Sequence, residues 1–220
     1  MEPKAIVLLS GGLDSAVAGA LAKIIWDEDC LALYFDYHQR HQREGNSSLT
    51  LTKFFNWPRK VLTIKMPTES ALTSSHGNLN RQSIKGLPAS FVPGRNLIFL
   101  SYAAAIAYDY GIRYIVGGWN CIDYPNYPDC SSGFLTSAEN TVNLALGLKG
   151  YNSISIWKPL IGMKKKEIIQ KGINLGVPFE STWSCYQGGE KPCGLCSSCK
   201  FRQKGFEEAS IKDPLLGEGG

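Results

Sequence analysis

Two hydrophobic periods alternate along the chain. Short apolar runs, Ala5-Ile6-Val7-Leu8-Leu9 and Cys30-Leu31-Ala32-Leu33-Tyr34-Phe35, have the character of strands buried on both faces. Further strands are predicted at Arg59–Ile64, Arg113–Gly117 and Ile154–Trp157. Between them apolar residues recur at helical spacing. One helix follows Ser15 through Ala16-Val17-Ala18-Gly19-Ala20-Leu21, and a second is predicted to begin near His41 to Glu44. A third starts at Asn96, with Leu97, Leu100, Ala103, Ala104 and Ala107 on one face, and others span Ser137–Leu148 and Lys164–Leu175. Strand, helix and parallel strand in repetition predict an α/β fold, a doubly wound parallel sheet. Met66 to Pro93 shows neither period and is rich in Ser, Asn, Gly and Pro; a loop that long is usually functional.

Composition narrows this picture without redirecting it. At 220 residues the chain has room for one α/β core and a small appendage. The expected layout is one α/β domain over residues 1–180, a cysteine-rich segment over 181–212 and a tail over 213–220. A net charge of +4 favours anionic ligands. Lys and Arg are dispersed apart from Lys164-Lys165-Lys166, which argues against a polynucleotide groove and hence against a nucleic-acid partner. No apolar run reaches the length of a membrane span, and Met1-Glu2-Pro3-Lys4 leads into the first strand without a signal-peptide pattern. The expectation is a cytoplasmic protein that does not enter membranes.

The first candidate for chemistry closes the first strand. Leu9 is followed by Ser10-Gly11-Gly12-Leu13-Asp14-Ser15, a strand-to-helix turn with residues suited to helix capping. Such a turn aims free backbone N–H groups and the positive end of a helix dipole at an anion. Neither the Walker pattern nor a dinucleotide G-x-G-x-x-G is present. Asp36 and Tyr37 end the second strand and fall on the same rim, where an ATP ribose or adenine would sit.

The second candidate is Cys185, Cys193, Cys196 and Cys199, four of the seven cysteines. Their spacing lets all four sulfurs converge on one ion, so a structural zinc is expected, with an iron–sulfur cluster as the competing reading. Cys30, Cys121 and Cys130 are scattered. His38 and His41 form an H-x-x-H pair with no third ligand nearby, and Arg40 or His41 is read as a contact to substrate or phosphate.

Ser10 to Ser15 resembles the PP-loop of ATP pyrophosphatase enzymes, whose glycine amides and serine hydroxyls cradle pyrophosphate. The motifs together resemble one family over nearly the whole chain, the 7-cyano-7-deazaguanine synthases. They include Gln39-Arg40-His41 with Glu44, Val92-Pro93-Gly94-Arg95-Asn96, Tyr127-Pro128-Asp129-Cys130, Thr141-Val142-Asn143-Leu144, Pro159-Leu160 with Lys165, and Ser184-Cys185-Tyr186 through Cys199. The resemblance implies an ATP-dependent ligase of queuosine or deazapurine biosynthesis, using 7-carboxy-7-deazaguanine and ammonia, with ATP and Mg²⁺ at the PP-loop and one structural Zn²⁺. It implies a homodimer. Asp14, Arg95, Lys165 and Asp129 are the expected catalytic residues. Arg40, His41, Arg95, Asp123, Tyr127 and Asp129 are the expected substrate contacts. The family usually has Ser-Gly before Tyr-Pro-Asp-Cys, with an Arg and a Glu just after it; this chain has Pro125-Asn126, Ser131 and Gly133. Two alternatives stay open on sequence: another PP-loop ligase acting on a related deazapurine or a tRNA base, and a zinc-ribbon nucleic-acid module on an inactive nucleotide fold.

Overall fold

The computed structural model describes residues 2–68, 70, 72–73, 86–122 and 127–216. Its sheet comprises β1 (Ala5–Leu8), β2 (Cys30–Asp36), β3 (Arg59–Thr63), β4 (Tyr114–Val116) and β5 (Ser155–Trp157). All pairings are parallel, in the order β3-β2-β1-β4-β5. The α-helices among the described residues are α1 (Leu13–Trp26), α2 (Arg43–Phe55), α3 (Arg95–Asp109), α4 (Ser132–Ala145), α5 (Lys165–Asn174) and α6 (Ser197–Glu208).

Strand alternation decides which residues meet which helix layer. Ala5, Val7, Cys30, Ala32 and Val116 face a core shared with Leu51 and Phe55 of α2, Ile168 and Ile169 of α5 and Phe206 of α6. Their neighbours Ile6, Leu31, Leu33 and Ile115 face the opposite core, with Leu100 and Ala104 of α3 and Leu135 and Val142 of α4. The sheet is therefore doubly wound, as the strand runs predicted, and each face is covered by its own helices. Because β1 lies between β2 and β4, the chain leaves β1 in opposite directions, and a crevice opens beyond its carboxyl end.

Two elements depart from the sequence expectation. The helix predicted from Ser137 begins at Ser132, because Ser131 Oγ accepts the Phe134 amide hydrogen at 3.2 Å and caps it. Helix α6 was not expected at all. Its apolar stripe is thin, and it is held by one polar anchor. The buried Arg202 guanidinium donates to both oxygens of Asp213 at 2.6 and 2.8 Å, to Thr182 Oγ1 at 2.7 Å and to the Phe179 carbonyl at 3.0 Å. This ties the beginning of the C-terminal tail to α6, and Phe206 meets Phe179 edge-on at 5.5 Å between ring centroids.

Candidate active site

The turn after β1 is shaped by what crowds it. Gly11 has φ +91°, and a Cβ there would lie 2.2 Å from the Glu44 carbonyl oxygen in the first turn of α2. From the other side Gly118, just after β4, packs on the turn so closely that a Cβ would sit 2.6–2.7 Å from the Asp14 and Ser15 backbone. Only glycine permits both approaches. Ser10 and Ser15 face each other at 3.1 Å between hydroxyl oxygens, and the Ser15 hydroxyl donates to the Gly12 carbonyl at 2.9 Å. The backbone carbonyl of Gly11 accepts the Trp183 amide hydrogen at 2.9 Å, so the cysteine-rich segment also braces the turn.

Asp14, in the first turn of α1, receives both oxygens' worth of contact from one cation. Lys165 Nζ, on a buried side chain at the start of α5, lies 2.6 Å from Oδ1 and 2.7 Å from Oδ2. Two cavities flank this pair. The larger, about 260 Å³, opens over the ends of β1, β2 and β4 and is lined by Ser10, Ser15, Tyr37, Arg95, Phe99 and Trp119 among others. The smaller, about 130 Å³, lies against Gly12, Leu13, Lys165, Ser184, Ser198 and Arg202. Asp14, Glu44 and Tyr186 line both.

Arg95 opens α3 behind the left-handed Gly94, and its guanidinium donates to the Tyr37 hydroxyl at 3.4 Å. Burial alone would lower its pKa, but the Tyr37 hydroxyl, Asp129 and Cys130 together raise it, so the charge is secure. Asp129 lines neither cavity. It is buried with Oδ2 accepting the Asn96 amide hydrogen at 3.2 Å, while Oδ1 has no hydrogen-bond partner among the described residues, and so it fixes the start of the Arg95-bearing helix. Tyr127 lines the larger cavity and shares a 2.5 Å hydrogen bond with Ser90.

The remaining predicted residues fall elsewhere. Asp36 accepts the His38 amide hydrogen at 3.1 Å in a turn where His38 has φ 58°, and it lines neither cavity. Arg40 and His41 also line neither. His41 Nε2 lies 2.9 Å from the Cys185 carbonyl oxygen, which Trp183 Nε1 also approaches at 2.8 Å; burial lowers the His41 pKa and favours the neutral ring. Asp123, with Tyr124, Pro125 and Asn126, lies outside the described residues.

Sequence reasoning passed over Glu44 as a site residue, although it was among the family-like motifs. Burial pushes its carboxyl from 4.5 up to about 7, against the pull of the Arg95 guanidinium. Between those values the folded chain holds a proton that the unfolded chain has lost, so stability falls as pH rises through this window. The penalty is about 3 kcal/mol at most, at ~1.4 kcal/mol per pKa unit. Glu44→Gln is therefore expected to raise the melting temperature of the ligand-free protein above about pH 7 and to change it little near pH 4.5. Equal melting of the two proteins at alkaline pH would contradict this.

The four clustered cysteines fit a single tetrahedral ion. Their sulfurs all lie within 4.8 Å of one another, and Cys193 Sγ and Cys199 Sγ are 3.9 Å apart. Four ligands at about 2.3 Å from zinc have sulfurs about 3.8 Å apart. The Gln187 and Cys193 amides each donate to Cys185 Sγ at 3.3 Å. Hydrogen bonds from Cys196 and Cys199 hold the Cys185 thiol well below its ordinary range, while the same proximity drives Cys199 up. A cation among them removes that conflict.

A parallel sheet with a Ser-Gly-Gly-Leu-Asp-Ser turn at its switch point defines a PP-loop nucleotide-binding α/β protein. The chain belongs to the family described as queuosine biosynthesis protein QueC, whose family model matches residues 4–210. It is 45% identical over 217 residues to the 7-cyano-7-deazaguanine synthase of Thermoplasma acidophilum, covering 96% of this chain and 91% of that protein. It is 41% identical over 231 residues to the synthase of Trichodesmium erythraeum, covering 97% and 100%. Among solved structures, NMN synthetase from Francisella tularensis superposes with a TM-score of 0.51 at 18% identity, over 96% of this chain and 79% of that one, a likeness of fold.

Proposed function

We propose that this chain converts 7-carboxy-7-deazaguanine and ammonia to 7-cyano-7-deazaguanine at the expense of ATP. Membership of the QueC family supports the reaction. The observation that carries the site assignment is the Lys165–Asp14 pair between a ring-sized cavity and a small one at the α1 N-terminus.

A carboxylate resists attack until one oxygen becomes a good leaving group, and transfer of the ATP α-phosphoryl group achieves this. The smaller cavity suits the pyrophosphate, being lined by Gly12 and Leu13 at the α1 N-terminus, Lys165, Ser184 and Ser198. The larger suits planar rings, between Phe99, Trp119 and Tyr37. Arg95, a fixed cation in that cavity, is placed to hold the substrate carboxylate. Mg²⁺, which would supply charge neutralisation on the departing pyrophosphate, would be held chiefly by the phosphates themselves, beside an Asp14 carboxylate whose two oxygens already pair with Lys165. Zn²⁺ on the four cysteines has a structural role. Asp129 acts through Arg95 and Asn96 as a positioning residue.

The same reading takes the working form to be a cytoplasmic homodimer, with small molecules and not nucleic acid as partners. No helix among the described residues is long and apolar enough to cross a membrane. The test is ATP–pyrophosphate exchange: exchange that requires 7-carboxy-7-deazaguanine supports the reading, and exchange indifferent to that acid overturns it.

A further inference from the structure

The proposed chemistry needs a nitrogen nucleophile, and in neutral water ammonia is almost entirely ammonium. It must be bound as a small cation beside the activated carboxyl carbon and then stripped of a proton. We propose that the Glu44 carboxylate is the ammonium site and the base that frees the nitrogen lone pair, an inference that rests on the functional reading above.

Position is the first argument. Glu44 is one of three residues that line both cavities, which places it where a ring-bound carboxyl group and an α-phosphate would meet. Availability is the second. Both Asp14 oxygens at the same place are occupied by Lys165, at 2.6 and 2.7 Å. Among the described residues the Glu44 side chain takes part in no hydrogen bond or ion pair. A carboxylate in a cavity wall that is not committed to a structural partner is available to a ligand cation.

The groups around Glu44 suit a transient cation. Arg95 of α3 faces it and lowers its pKa, and Cys185 of the cysteine cluster raises it; Tyr34 and Tyr37 of β2, Tyr186, and the paired Asp14 and Lys165 lie around it. Its elevated pKa, about 7, fits a base that works near neutrality. The competing role, accepting N–H groups from the guanine-like edge of the substrate, would be better served at the ring end of the larger cavity than beside the phosphates.

The step balances. Ammonium gives one proton to Glu44, and the freed nitrogen pair forms the C–N bond to the activated carboxyl carbon. The bond from that carbon to the nucleotide phosphate oxygen breaks, its electron pair leaving with the phosphate. The added nitrogen loses a second proton to solvent, giving the amide, and Glu44 then returns its own proton to solvent.

The experiment compares the full-length wild type with Glu44→Gln at saturating ATP and 7-carboxy-7-deazaguanine. Ammonium chloride is varied in one series. Hydroxylamine, already neutral at neutral pH, replaces it in another. The inference predicts that kcat/KM for ammonium falls by about 10²-fold or more, the scale of general-base catalysis. Acid-dependent ATP–pyrophosphate exchange and hydroxamate formation persist in the variant, which also shows that it is folded. Unchanged ammonium kinetics overturn the ammonium site alone. Loss of exchange, or a raised KM for the acid, overturns it in favour of nucleotide or ring-edge binding. Failure of the wild type to exchange overturns the functional reading and this inference with it.

Discussion

Lys165→Met is expected to lower acid-dependent ATP–pyrophosphate exchange by about 10³-fold, the upper range for removing one preorganised electrostatic partner of a transition state. The buried ammonium lies 2.6 Å from Asp14 and faces the cavity assigned to pyrophosphate, so two functions are lost together. Charge on the departing pyrophosphate goes unmatched. Asp14, 19% exposed at the side chain, is left without its cation, and stability falls by about 3 kcal/mol. Restoring neutrality with Asp14→Asn in the same chain is expected to recover most of the stability and none of the exchange. Thermal melting and exchange assays separate the two effects. Exchange within ten-fold of wild type in Lys165→Met would remove Lys165 from the phosphate site.

The second large effect follows from the chain connecting metal ligands to phosphate ligands. Ser184 directly precedes Cys185, Ser198 directly precedes Cys199, and both serines line the smaller cavity. Trp183, two residues before Cys185, braces Gly11. Chelation of the metal, or Cys196→Ser, should therefore loosen the phosphate site as well as the segment that carries the thiolates. The expected losses are about 10 °C or more in Tm, since structural zinc contributes directly to folding, and at least ten-fold in ATP affinity. Elemental analysis of the native protein should give one zinc per chain. Iron, or unaltered ATP affinity after full chelation, would contradict this account.

The sheet was legible because strands buried on both faces write themselves as continuous apolar runs, and the PP-loop was legible because its crowded turn needs glycine at Gly11. What long-range packing decides was less visible. Lys165 sits inside Lys164-Lys165-Lys166, a run that reads as a solvated face; only the phase of α5 buries the middle residue and aims it at Asp14, far away in sequence. Helix α6 escaped notice because Arg202, an ordinary surface residue by type, is its buried anchor. Asp36 shows the opposite limit. A carboxylate at the end of a parallel strand serves a ligand or the turn that follows, and this one contacts the His38 amide. His41 was visible as a special residue without its partner being so, since the Cys185 carbonyl comes from a distant part of the chain. Ser131, at one of the positions where the sequence departs from the family pattern it resembles, has a local use as the cap of α4.

The central claim is tested most directly by mass analysis of the product. With 7-carboxy-7-deazaguanine, ammonium and ATP, the protein should form 7-cyano-7-deazaguanine, with the corresponding amide as an intermediate. Consumption of ATP without nitrile, or with the amide as the final product, would contradict the account.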